Sequence, residues 1–262
     1  MRTSAGKRLE RHSGNDGNTD IGGGIIDSEL SGPEDQLRRL RQFIPVLVHE
    51  LRTPLTPLLG ASEMLSSGIT EQPWANLARS IQLSAVKMVR MIDDLADLGK
   101  CDCGELILEI SDIDLSTLLG EVVESRRVRA VPLGLGLVID IPQSLPRIRG
   151  DATRLRQVAL ALLESTLRQV PEGGFVRVSA RSIDQSVMVT VTGEDSSSRH
   201  HDDFPSQFTE EDTLEKAPSL ALLLASYLVR LHEGRAGVVI QAGANSIYWF
   251  SVPVNGPQRR AA

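Results

Sequence analysis

No apolar run in this 262-residue sequence is long enough to cross a membrane. The longest, Leu220 to Leu231, is interrupted by Ser226 and falls short of the roughly 20 residues that a helical span requires. The polar N-terminus has no apolar core of a signal peptide. An excess of basic charge is also missing: 28 Lys and Arg stand against 34 Asp and Glu, a net charge of −6, with the two signs mixed along the chain. That leaves no electrostatic footprint for a nucleic-acid backbone, and argues against DNA or RNA as a partner. Cysteine is scarce, and Cys101 and Cys103 are too close in sequence to bridge each other well. With no other Cys or His clustered beside them they read as reduced surface thiols rather than metal ligands. These absences imply a cytoplasmic protein. Its 41% hydrophobic content can fill one core of ordinary size or two small ones, so two domains are expected.

What is present centres on Val46-Leu-Val-His49-Glu50-Leu-Arg-Thr53-Pro54-Leu-Thr-Pro57. The apolar positions Ile44, Leu47, Leu51, Leu55, Leu58 and Leu65 recur in steps of three and four, and Ser62 continues the seam of one helix. His49 lies off that seam and points to solvent, with Thr53 one turn later on its face. Eight consecutive residues, His-Glu-Leu-Arg-Thr-Pro-Leu-Thr, resemble the phosphoacceptor box of the sensor histidine kinases of two-component systems. The resemblance implies that an imidazole nitrogen of His49 receives a phosphoryl group, that Glu50 accepts the proton of the other ring nitrogen, and that Thr53 positions water for dephosphorylating the partner. Pro54, which removes a helical N–H, is expected to loosen the helix there.

Residues 1 to 30 are rich in Gly, Ser, Asn, Asp and Arg without periodicity, and read as a disordered segment. Pro33 followed by Glu34 and Asp35 starts a helix that runs to about Ser67. Thr70 to Pro73 opens a second, ending at Gly99, with Leu77, Ile81, Ala85, Met88, Ile92, Leu95 and Leu98 as its seam. Two antiparallel helices cannot hide both stripes alone. Residues 31–100 therefore read as a hairpin that dimerises into a four-helix bundle, as the resemblance also implies. From residue 101 to 255 the periods change. Strands are expected at Glu105–Ile110, Leu135–Ile141, Phe175–Ser182, Ser186–Thr192, Gly237–Gln241 and Ser246–Val252. Helices are expected at Leu115–Arg129, Asp151–Gln169 and Pro218–His232. Helices on one face of a mixed sheet make an α+β sandwich, and residues 256–262 form a tail.

That second half resembles the ATP-binding domain of the same kinases. Asp151-Ala-Thr-Arg154-Leu155-Arg-Gln157-Val158 matches the start of the nucleotide-site helix, Pro171-Glu-Gly-Gly174 the turn after it, and Leu220 to Gly234, with His232, the last helix. The resemblance implies ATP and Mg²⁺ as ligands, yet the residues carrying them have changed. Ser165 stands at the metal-holding asparagine, Ala161 at an earlier asparagine, Gly193 at the adenine-reading aspartate. Asp195, Ser197, Ser219 and Ala221 stand at glycines that admit phosphates. Arg168, where the family often has lysine, is left as a phosphate-facing cation. The polar segment 194–215 has the length of an ATP lid, and its His200 and His201 read as solvated loop residues.

Three functions are compatible with these residues. One is a kinase that phosphorylates His49 with ATP and passes the group to a response-regulator receiver. Another is a phosphotransfer protein or receiver phosphatase whose ATPase-like domain is a structural prop. The third is a non-catalytic module that docks a receiver, or pairs with a partner histidine kinase as a heterodimer.

Overall fold

A computed structural model describes residues 33–66, 74–195, 214, 219–239 and 246–257; expectations for residues 1–30, Thr70–Pro73, Ser197, His200, His201 and Pro218 lie outside these. By its contacts, Arg41–Ala262 is one compact unit.

Two long helices come first, α1 (Pro33–Ser66) and α2 (Trp74–Asp102). α1 stays helical through Pro54 and Pro57, whose missing N–H groups leave the carbonyls of Glu50 and Thr53 without their helical donors. Nearby, Thr56 Oγ1 donates to Arg52 O at 2.9 Å, satisfying a carbonyl from the side-chain side. α2 does not stop at Gly99. It continues to Asp102, and the turn closes at Gly104, whose φ of 68° favours glycine. The amides of Glu105 and Leu106 cap the end by donating to Lys100 O.

Within one chain each helix buries only a narrow stripe. On α1 this consists of Pro54 and Ala61, flanked by half-buried Leu51 and Leu58; on α2 it is Ser84, Met91 and Leu98, with Ile81 and Met88 beside them. The expected seam was broader, and part of it is open. Leu55, Ala85, Ile92 and Leu95 are exposed, together with Val48, Leu59, Leu83, Val86 and Val89. One hairpin has a single inner face, so the remaining apolar sector is left open by the described residues. The side chains of Ile44, Leu47 and Leu65 lie outside the described residues.

Glu105–Ile110 forms no strand ladder; the first strand is β1 (Ser111–Ile113), paired antiparallel with β3 (Ile148–Gly150). Between them lie α3 (Leu115–Ala130) and β2 (Gly136–Asp140). Next come α4 (Ala152–Leu167), β4 (Phe175–Ile183), β5 (Ser186–Glu194), α5 (Leu220–Leu231), β6 (Arg235–Val239) and β7 (Ile247–Pro253). The main sheet has the order β2-β4-β5-β7-β6, with β2 parallel to β4 and the other pairs antiparallel.

Helices start where acids cap them: Asp114 accepts from Thr117 N at 3.1 Å, and Asp151 from Arg154 N at 3.0 Å. α3, α4 and α5 share one face of the sheet and meet Val176, Val178, Val187, Val189, Val191, Phe250 and Val252, all buried. Each such side chain contributes about 1.5–3 kcal/mol by leaving water, so this layer holds the α+β sandwich together. Leu214 is fully buried in the same core. Gly234 allows the last turn to lie against β7, since a Cβ there would sit 2.1 Å from Ser251 O.

Candidate functional site

His49 is exposed on α1, one position before half-buried Glu50. The two differ because consecutive helical side chains point about 100° apart. His49 faces out of the hairpin, while Glu50 turns toward the α/β sandwich. There its Oε2 accepts from Leu220 N, the first residue of α5, at 3.3 Å. Ser219 holds the N-cap position of α5 in extended conformation, but its hydroxyl makes no capping bond. Thr53 is exposed on the His49 face, as expected. Its hydroxyl donates to the carbonyl of His49 itself, at 3.1 Å.

The hairpin meets the sandwich along α2 as well, which packs against α5. Arg154 of α4 grips Asp97 through both Nη atoms, and Gln157 Nε2 donates to Asp94 Oδ1 at 3.0 Å. Burial raises the Asp94 carboxyl above its ordinary value. The Gln157 bond opposes that shift, and the charges of Asp97, Asp93 and Glu50 add to it. These contacts were not read from the sequence. Their only trace there is the matched spacing, Asp94 and Asp97 one turn apart facing Arg154 and Gln157 one turn apart.

On α4, Ser165 and Ala161 are both buried. Arg168 does not reach out toward a phosphate: its Nη2 donates to Ser165 Oγ at 3.0 Å. A guanidinium thus sits on the one oxygen available at the metal-holding position. A divalent cation wants several hard oxygen ligands and is repelled by an adjacent positive charge. Glu164, one residue earlier, is held by Arg126 at 2.8 Å, with Arg129 3.8 Å away. Gln169, one turn on, donates to the Tyr248 hydroxyl at 2.6 Å. On β5, Gly193 is buried and brings no side chain to read an adenine. The next residue, Glu194, is engaged by Arg177 at 2.8 Å. Asp195 and Ala221 carry side chains where glycine was expected. These residues do not fit a magnesium-bound triphosphate.

A helical hairpin presenting an exposed histidine is thus followed by a two-layer α/β sandwich. Residues 39–104 match the His Kinase A (phospho-acceptor) domain. The chain is 34% identical over 220 residues to the sensor protein DivL of Caulobacter vibrioides, which covers 82% of this chain and 28% of DivL. It is 30% identical over 253 residues to the adaptive-response sensory kinase SasA of Thermosynechococcus vestitus, covering 86% of this chain and 67% of that protein. Among solved structures, the Acinetobacter baumannii histidine kinase AdeS superposes with a TM-score of 0.60 at 21% identity, over 79% of this chain and 98% of AdeS. The histidine kinase ThkA, solved in complex with the response regulator protein TrrA, gives 0.59 at 18% identity, over 85% of this chain and 64% of that one. The chain belongs to the sensor histidine kinases of two-component signal transduction, although it spans less than a third of the length of DivL. The histidine kinase ShkA, solved in complex with AMPPNP, superposes with a TM-score of 0.55 at 23% identity, over 85% of this chain and 46% of that one. No helix among the described residues is long and apolar enough to cross a membrane.

Proposed function

We propose that this chain is a dimeric, cytoplasmic phosphotransfer protein in which His49 carries a phosphoryl group to or from an aspartate of a response-regulator receiver. The group, in this reading, is not drawn from Mg²⁺-ATP on its own ATPase-like domain. The observation that carries the proposal is a contrast within one molecule. The phosphoacceptor box is intact, with His49 open to a partner, while Arg168 occupies the oxygen of Ser165 on which a metal would depend. ThkA was captured with a response regulator, which supports a receiver as the partner of a hairpin of this fold. The open apolar sectors of α1 and α2 support a second hairpin as the other partner, from the same chain or from a complete histidine kinase.

His49 acts in this scheme as nucleophile and carrier: one ring nitrogen takes the phosphoryl group while the proton of the other passes to Glu50. Thr53 stands one turn along the same face, where its hydroxyl can orient water toward a docked receiver's phosphoaspartate.

A second reading, ATP-dependent autophosphorylation, is favoured by the kinases among its relatives, and the ShkA histidine kinase was solved with AMPPNP. One experiment separates the two. The purified chain is incubated with γ-labelled ATP and Mg²⁺, and separately with phosphoramidate, each beside His49→Ala. Label from phosphoramidate alone, lost in the variant, supports the proposal; label from ATP overturns its second half.

A further inference from the structure

At Glu50, Asp94 and Asp97 the hairpin meets the sandwich through its acids. Glu50 on α1 receives the Leu220 amide, Asp97 on α2 is held by Arg154, and Asp94 accepts from Gln157. The Arg154–Asp97 pair is largely shielded, its side chains 23% and 16% exposed. Ser219 leaves the first turn of α5 without a side-chain cap, and the carboxylate of Glu50 fills that role from another part of the chain. We propose that these contacts form a latch in which Glu50 has two mutually exclusive uses: cap of α5 when the ATPase-like domain is docked, proton acceptor for His49 when it is released. The latch rests on the reading of His49 as phosphoryl carrier.

The physical reason is that the capping bond fixes the side-chain torsions of Glu50 toward α5, on a different bearing from the His49 ring, which points to solvent. Arg154 and Gln157 set how long the domain stays docked, because they hold α4 on α2 and so keep α5 within reach of Glu50. They are positioning residues, acting on His49 only through Glu50.

The test uses the full chain and phosphoramidate as a small donor that reaches exposed His49 in either state. A ring nitrogen of His49 forms the N–P bond as the P–N bond to ammonia breaks, and the proton on the other ring nitrogen goes to Glu50. Two quantities are followed: hydrogen exchange of peptides covering residues 219–226, and the initial rate of His49 labelling. Asp97→Arg should speed both several-fold, and the charge swap Asp97→Arg with Arg154→Asp should return both toward wild type. Glu50→Gln, which keeps an oxygen for the Leu220 amide but is no base, should leave exchange near wild type and slow labelling. Faster exchange in Asp97→Arg with an unchanged labelling rate would overturn the gating. Unchanged exchange would overturn the latch itself. No label on wild type or any variant would overturn the carrier reading, and gating with it.

Discussion

The backbone amide of Asp151 donates to Nε2 of His232 at 3.0 Å, and Nδ1 of the same ring lies 2.7 Å from the carbonyl of Leu228. Because Nε2 accepts, the proton is on Nδ1 and the imidazole is neutral. The carboxylate of Asp151 meanwhile caps α4 and receives the amide of Glu109 at 2.9 Å. One buried pair thus joins the start of α4, the end of α5 and the segment that leads out of the hairpin. Burial holds the His232 pKa below its ordinary 6.5, against the raising effects of the Leu228 carbonyl and the Asp151 charge.

Folded chain therefore binds a proton at His232 less readily than unfolded chain. Stability is unaffected by this group above about pH 6.5 and falls as the pH drops from there toward the lower folded-state pKa. His232→Asn should flatten the pH dependence of the urea midpoint between about pH 6.5 and 5, and should lower the midpoint at pH 7.5. The expected loss is about 1–3 kcal/mol, the cost of a buried amide left without its acceptor. An unchanged slope would show that other groups govern the acid side.

Replacing Leu59 and Ile92, 61% and 58% exposed, by glutamate should convert a dimer into a folded monomer. Charges placed in an assembled core are unpaired, whereas on an isolated hairpin they are solvated. Light scattering with circular dichroism checks this; a wild type that is already monomeric at micromolar concentration removes the dimer.

Asp94→Asn should leave the melting temperature unchanged or raise it. The raised carboxyl pKa means that ionised Asp94 is penalised in the fold at neutral pH; the penalty shrinks only as the pH falls below that raised value and is gone below the ordinary 3.8. Asparagine removes the charge and keeps an oxygen for Gln157. Calorimetric scans of both proteins at pH 7.5 decide it, and a clear fall would mean that the charge is needed where it is.

His49→Gln should abolish phosphoramidate labelling without changing the fold, because the side chain is exposed. Thr53→Ala should spare the label, since its hydroxyl bonds to the His49 carbonyl and not to the imidazole, and should slow any dephosphorylation of a receiver by about tenfold or more, the loss of a bond worth roughly 1.5 kcal/mol. Acid-labile phosphate on the His49 variant would place the carrier elsewhere.

Most of the architecture was legible because periodicity carries it: the alternation in Val187-Met-Val-Thr-Val191 and the spacing of Leu155, Val158 and Leu162 both appear in the structure as read. Boundaries set by tertiary contact were not. Gly99 looked like a helix end, but α2 gains amide caps on Lys100 and runs on. Glu105–Ile110 alternates like a strand, yet no strand among the described residues pairs with it, and Asp151 takes its Glu109 amide instead. β3, at three residues, is too short for any periodic signal. Of the site, His49, Glu50 and Thr53 follow from one contiguous phrase. The engagement of Arg168 with Ser165, and of Glu50 with α5, depends on side-chain direction and on residues 170 positions apart. Linear spacing does not encode these. Cys101 likewise proved half-buried against the core, leaving only Cys103 at the surface.

The parallel pairing of β2 with β4 also orders events in time. β4 and β5 are joined by two residues, Asp184 and Gln185, with Asp184 at φ 51°, so this hairpin can close as soon as it is made. β2 must wait for a strand that lies beyond the whole of α4. During synthesis or refolding its Val138 and Ile139, still half-open in the finished fold, stay bare until that partner arrives. Pulse-labelled exchange should therefore find β2 amides protected after those of β4 and β5, and agents that capture nascent apolar segments should find their target first at this edge.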